Sequence, residues 1–149
     1  MAEFLEVTVD KFTFKVAADR FYTHEGLWVL PEADRVRIGL SDFLQQRSGD
    51  IAFAEIQPID TVLAIGDEVA SIETIKVNVA LSSPISGQVI EVNPAMDTTP
   101  EAINQDPYGA GWLAVIAASD WEADRTQLLD PPAYFALMKA EAEAEAKNL

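Results

Sequence analysis

The chain has 149 residues, enough for one domain whose core needs no covalent staples. It contains no cysteine, which excludes a disulfide framework, thiolate metal sites and any thiol redox chemistry of its own. With 10 Lys and Arg against 25 Asp and Glu the net charge is −15, which argues against nucleic acid and anionic membrane surfaces as partners.

The acidity reads most simply as solubility through self-repulsion, and more sharply as partners with basic surfaces or a salty habitat. Met1-Ala2-Glu3-Phe4-Leu5-Glu6-Val7 carries acid where a secretory signal carries base. No run reaches the ~20 apolar residues of a membrane span, so a soluble, cytoplasmic protein is expected.

β-favouring residues dominate the first half. Leu27-Trp28-Val29-Leu30 and Arg35-Val36-Arg37-Ile38-Gly39 flank Pro31-Glu32-Ala33-Asp34 and predict a hairpin. Val36 and Ile38 alternate with Arg35 and Arg37, the pattern of a strand with one wet face. Ser41 is placed to cap a short helix over 42–47, stopped near Gly49, and Ile51 to Ile56 returns to strand.

Two more strands follow, around Lys76. Thr99-Pro100-Glu101 then predicts a single-turn helix, Asp106-Pro107-Tyr108-Gly109-Ala110-Gly111 a loop, and Trp112 to Ile116 a buried last strand. Ser119-Asp120-Trp121-Glu122 has the form of a capping box. Asp130-Pro131-Pro132 opens a final helix whose Tyr134, Leu137 and Met138 share a face. Glu141, Glu143 and Glu145 alternate with alanine, so a solvated or frayed tail is expected over about 140–149.

Lys76 is the only lysine between Lys15 and Lys139, and it lies between Ile75 and Val77 where two β-rich arms meet. A lone lysine is ordinarily a plain surface residue. Here three features point elsewhere: apolar flanks, Glu73 three residues before, and Ser83-Pro84-Ile85-Ser86-Gly87 restarting a strand after it. A modifying enzyme must reach the ε-amine, and a protruding turn allows that better than a helix face.

The segment from Gly49-Asp50-Ile51 to Asn93 resembles the lipoyl-bearing region of the glycine cleavage H protein family. Its pattern is roughly G-D-I, then E-S-V-K, then S-P-x-S-G-x-V-x-E-V-N. This chain supplies Glu73-Thr74-Ile75-Lys76, Ser83-Pro84-Ile85-Ser86-Gly87, Val89 and Glu91-Val92-Asn93 without a gap. Tyr22-Thr23, Trp28-Val29 and Gly39-Leu40-Ser41-Asp42-Phe43 resemble the family's opening. Asn104-Gln105-Asp106-Pro107-Tyr108-Gly109-Ala110-Gly111-Trp112-Leu113 is similar to its N-x-D-P-Y-G-x-G-W-L loop.

The resemblance covers nearly the whole chain. It implies a single carrier domain over 1–149, mainly β with small peripheral helices: a barrel-sandwich hybrid with a C-terminal helix. It implies covalent lipoic acid on Lys76, with Glu73 and Gly87 read by the lipoate–protein ligase or other lipoyl-attaching enzyme. Such a protein has no catalytic residues and holds no metal; it carries a thiol-bound intermediate between enzymes. A biotin carrier has a related hairpin with methionines beside its lysine, where this chain has Ile75 and Val77.

Two departures stand out. The family's H-E-W histidine is replaced by Gly26, with His24 two positions earlier, and its A-V-S-D after the lysine is Val77-Asn78-Val79-Ala80 here. Both are similar to what a change of partner would leave. They point to the H-like lipoate-binding proteins of the heterodisulfide-reductase-like sulfur-oxidation system, with that complex as partner. The alternative is the glycine cleavage H protein, which carries the aminomethyl group among the P, T and L proteins. A third reading is a non-lipoylated structural or regulatory module on the same fold.

Other candidates are weaker. His24 with Glu25 is a poor metal pair without further histidine or cysteine. Asp106 reads as a turn residue, Asp67-Glu68 as a solvated turn, and Tyr108 and Trp112 as packing.

Overall fold

The structure is a computed structural model, which describes residues 3–147. Strands begin earlier than the sequence pattern predicts. β1 (Phe4–Val9) and β2 (Phe12–Ala17) form an antiparallel hairpin, registered from Phe4↔Ala17 to Val9↔Phe12. Its turn places Asp10 at φ 58°, a left-handed conformation that aspartate tolerates better than most residues. Leu5, Val7 and Val9 are half-buried while Phe4, Glu6 and Thr8 are exposed, the alternation of a one-sided strand.

β3 (Phe21–Tyr22), β4 (Leu27–Glu32) and β5 (Arg35–Leu40) follow. The predicted β4–β5 hairpin is present, but its turn narrows to Ala33-Asp34 because Pro31 and Glu32 pair with Val36 and Arg35. α1 (Asp42–Ser48) is capped by Ser41, whose Oγ accepts from the Leu44 amide at 3.2 Å, and ends at Gly49. β6 (Ile51–Ile56), β7 (Val62–Leu63), β8 (Glu68–Thr74), β9 (Asn78–Ser82) and β10 (Gly87–Val92) come next.

Two single-turn helices replace the predicted one: α2 (Ala95–Thr98) and α3 (Ala102–Gln105). Pro100 and Glu101 form the turn leading into α3, and neither helix has a side-chain cap. β11 (Ala114–Ala118) precedes α4 (Trp121–Asp124), where the cap is Asp120, and a 3-10 turn over Arg125–Gln127. α5 (Pro131–Lys147) closes the described chain, and the Asp130 carboxylate accepts from the Ala133 amide at 2.9 Å.

Six strands in the order β3-β4-β5-β11-β10-β7 face three in the order β6-β8-β9. Leu27, Ile38, Ile72, Leu81, Val89 and Leu113 are buried in the core that these sheets share. This is the barrel-sandwich hybrid. A second cluster forms where the hairpin, α1 and α5 meet, from Phe14, Val16, Tyr22, Trp28, Phe43, Tyr134 and Met138. The Tyr22 and Tyr134 rings stack at 4.4 Å, and the hydroxyls of Tyr134 and Ser41 are hydrogen-bonded at 2.9 Å.

The expected frayed tail is corrected in part. α5 stays helical to Lys147 because Ala142 is buried in the second cluster and Arg47 reaches Glu141 at 3.7 Å and Glu145 at 3.6 Å. Positions 148 and 149 lie outside the described residues.

Gly87 is buried at the start of β10, between Leu63 of β7 and Ala118 of β11. A Cβ there would collide with the Ala117 carbonyl oxygen and the Ile116 side chain. Glycine at 87 is therefore demanded by strand packing. Gly87→Ala is expected to cost about 1–3 kcal/mol through overpacking. Urea melts measure that cost, and the molecules that do fold should still be modified normally.

Burial pushes the Tyr108 phenol up from its ordinary 10 to about 12, and the Tyr22 and Tyr134 phenols shift upward for the same reason. The folded chain holds these protons more tightly than the unfolded chain does. Stability is therefore full below about pH 10 and falls as the pH rises towards 12. The urea midpoint should hold up to pH about 10 and drop between pH about 10 and about 12, less steeply in Tyr108→Phe.

Candidate functional site

β8 and β9 pair from Glu68↔Ser82 to Glu73↔Asn78, and Ile72 and Leu81 anchor them in the core. At the free end the chain reverses through Ile75-Lys76. This turn needs no glycine because Thr74 organises it. The Thr74 amide donates to the Val77 carbonyl at 2.8 Å, while its Oγ1 accepts from the amides of Lys76 at 3.2 Å and Val77 at 3.0 Å. Ile75 is 96% exposed, so the tip projects fully into solvent.

Lys76 is exposed, and among the described residues no carboxylate lies within ion-pair distance of its ammonium. Its side chain passes over Gly49, where a Cβ would sit only 3.0 Å from Lys76 Cε. Gly49 also adopts φ 92°, so the glycine both ends α1 and leaves room for the lysine.

Asn104 fixes this platform. Its Nδ2 donates to Gln45 Oε1 and to the Gly49 carbonyl, each at 3.0 Å, and its Oδ1 accepts from the Ile51 amide at 2.9 Å. One side chain thus ties α3, the end of α1 and the start of β6 together beneath the lysine. Asn93 does the same for the neighbouring loop: Nδ2 donates to the carbonyls of Ala110 at 2.8 Å and Trp112 at 2.7 Å. Both asparagines stand in the motifs of the sequence, which alone gives them no role. Their position in motifs far apart along the chain was the available signal.

Glu73 is exposed and lies in register with Phe53 on one side and Asn78 on the other. With Phe53 66%, Ile75 96% and Val77 44% exposed, the lysine stands among unpartnered apolar groups. The structure brings Glu73 and Lys76 to the same hairpin end. It leaves Gly87 inside the sheet.

The remaining candidates are structural or lie elsewhere. His24 and Glu25 are exposed on the Thr23–Leu27 turn, and they line a different cleft from the one beside Lys76. Asp106 Oδ2 accepts from the Ala110 amide at 2.9 Å, the work of a turn residue. Asp67 accepts from the Ala64 amide at 2.9 Å in the turn before β8. The Tyr108 hydroxyl donates to the Lys15 carbonyl at 2.6 Å, and the Arg37 guanidinium lies 4.3 Å from the Trp112 ring centroid, so both aromatics are packing groups. Among the described residues no helix is long and apolar enough to cross a membrane.

Comparison with known proteins matches residues 20–141 to the family described as glycine cleavage H-protein. A glycine cleavage system H protein of Thermus thermophilus is 38% identical over 127 residues, covering 85% of this chain and 98% of the relative. One from Beutenbergia cavernae is 39% identical over 126 residues, with coverage of 85% and 98%. The crystal structure of a glycine cleavage system H protein from Mycobacterium marinum superimposes with a TM-score of 0.69 at 31% identity, covering 78% of this chain and 94% of that one. Proteins of this family carry covalently attached lipoate on a lysine and are not themselves catalysts. With the match spanning most of its length and the same fold beneath it, this chain belongs to the glycine cleavage H-protein family and is a cofactor-carrying component rather than an enzyme.

Proposed function

We propose that this chain is a cytoplasmic lipoyl carrier with lipoate attached at Lys76, that Glu73 is a recognition feature for the attaching enzyme, and that it serves as the H protein of glycine cleavage. The observation that carries the attachment is the exposed Lys76, without an ion-pair partner among the described residues, at the tip of a two-residue turn. The residues fit the group. Forming an amide removes the ammonium charge, and among the described residues no carboxylate loses a partner when that happens. When bound, the lipoyl group supplies a disulfide–dithiol couple on a flexible tether, and tethering raises its effective concentration at each enzyme visited. The names of the relatives, all glycine cleavage H proteins, support the pathway and the P, T and L proteins as partners.

A second reading, service to a heterodisulfide-reductase-like sulfur-oxidation complex, is supported by departures from the family's pattern. The position of the family's histidine is held by Gly26 at φ 104°, where a Cβ would lie 3.1 Å from Leu44 Cβ and 3.2 Å from the Tyr134 hydroxyl. α5 fills the space, so the departure is built into the packing. The apolar Val77 and Ala80 then line the exposed side of the lysine hairpin.

Reconstitution with glycine decarboxylase separates the readings. Glycine–bicarbonate exchange by the lipoylated chain, lost in Lys76→Arg, supports glycine cleavage. Exchange that survives Lys76→Arg removes the assigned role. No exchange by a verified lipoylated chain, with activity restored by the reductase-like complex, moves the assignment to sulfur oxidation. Thr74→Val should cost about 1–2 kcal/mol by leaving turn amides without their acceptor. It should also slow lipoylation although Lys76 is unchanged, measured as the modified fraction over time by intact mass.

A further inference from the structure

We infer that β7 and the turns on either side of it form a docking edge for a partner enzyme of the carrier. The segment it takes is extended, with apolar side chains and Lys or Arg in alternation, and the inference rests on the carrier role proposed above. β7 is the last strand of the six-stranded sheet, so one of its sides has no strand of that sheet beside it. Val62 stands opposite Gln88, and at the next pair along the Val89 amide donates to the Thr61 carbonyl at 2.9 Å. Neighbouring residues of an antiparallel strand turn their backbone groups to opposite sides. The Val62 amide and carbonyl therefore face the open edge, the arrangement that an added strand uses.

Three observations choose the occupant. The first is the apolar surface: Ile59, Val62 and Ile65 are 54%, 77% and 38% exposed within one short stretch of chain. Ile65 also stands in the wall of an open cleft of about 220 Å³, shared with Pro84, Leu128, His24 and Glu25, which can seat a further side chain. The second is charge. Asp60, Asp67 and Glu68 flank these side chains along the chain, all three exposed, and among the described residues none has an ion-pair partner. From 48 to 124 the sequence has no lysine or arginine except Lys76. Asp60 Oδ1 accepts from Gln88 Nε2 at 3.3 Å and Asp67 Oδ2 from the Ala64 amide at 2.9 Å, so these charges are held in place. A second copy of this acidic chain is repelled there, and a basic segment is drawn in. The third is position. β8 runs from Glu68, beside the patch, to Thr74 at the foot of the lysine turn, and its seven residues span roughly 20 Å. A hold at this far end leaves the lysine turn uncovered while the arm moves between active sites, and keeps the arm's local concentration high.

The test uses the full chain, lipoylated and as Lys76→Arg, titrated against each of the P, T and L proteins and against the reductase-like complex. At least one complex should protect the amides of 59–68 from hydrogen exchange, and Lys76→Arg should bind it as tightly as the lipoylated chain. Val62→Ser with Ile65→Ser should weaken that binding about tenfold. Asp60→Asn with Glu68→Gln should flatten its salt dependence. All four side chains are exposed, so the variants keep the fold, which the urea midpoint checks. Protection confined to 49–55 and 73–79, or equal binding by the variants, overturns the docking edge. Binding to none of the enzymes overturns it too, as does protection of 59–68 in the chain alone as its concentration rises, the mark of a self-contact. Intact mass without lipoate on Lys76 strikes only the attachment, because docking is read in Lys76→Arg as well.

Discussion

Two antiparallel strands, anchored at one end and free at the other, are what the rest of this molecule serves. β8 and β9 bury Ile72 and Leu81 in the core, and their ladder carries that rigidity outward to Lys76. Without glycine at the tip, the reversal depends on Thr74, whose hydroxyl accepts the two amides that the turn would otherwise leave open. The lysine is thus held firmly at its Cα and left free beyond it. A carrier needs that combination, since a floppy base would blur recognition and a buried ε-amine could not be reached.

The base is held together by polar side chains as much as by the core. Asn104 joins three segments under the lysine turn, and Asn93 joins two more. Among the described residues no buried side-chain nitrogen or oxygen lacks a partner. Such complete pairing penalises alternative arrangements of the loops, because each would leave buried polar atoms unsatisfied.

Local signals made much of this legible in the sequence. The β4–β5 hairpin, the Ser41 cap, β6 and the lysine turn are written in alternation and capping residues a few positions apart. The β1–β2 hairpin was missed because its turn, Asp10-Lys11, uses a left-handed aspartate in place of the usual glycine. The persistence of α5 was missed for a related reason. Ala142 is buried only because the hairpin and α1 come to meet it, and no stripe along the helix announces that. Gly87 shows the limit of a motif: the pattern marks the residue, and only the packing against Ala117 shows why a side chain is excluded.

The family frame over 20–141 explains the lysine, its turn and the loops beneath it. The chain's own additions, the hairpin and the last turn of α5, gather on one side of that lysine. Function in the shared frame and individuality in the added segments meet at a single side chain. Peptide mass mapping of protein from a lipoate-competent host tests that account most directly. It should find the lipoyl group on Lys76 and on none of the other lysines, Lys11, Lys15, Lys139 and Lys147. An unmodified Lys76 beside an active ligase, or lipoate on another lysine, would contradict it.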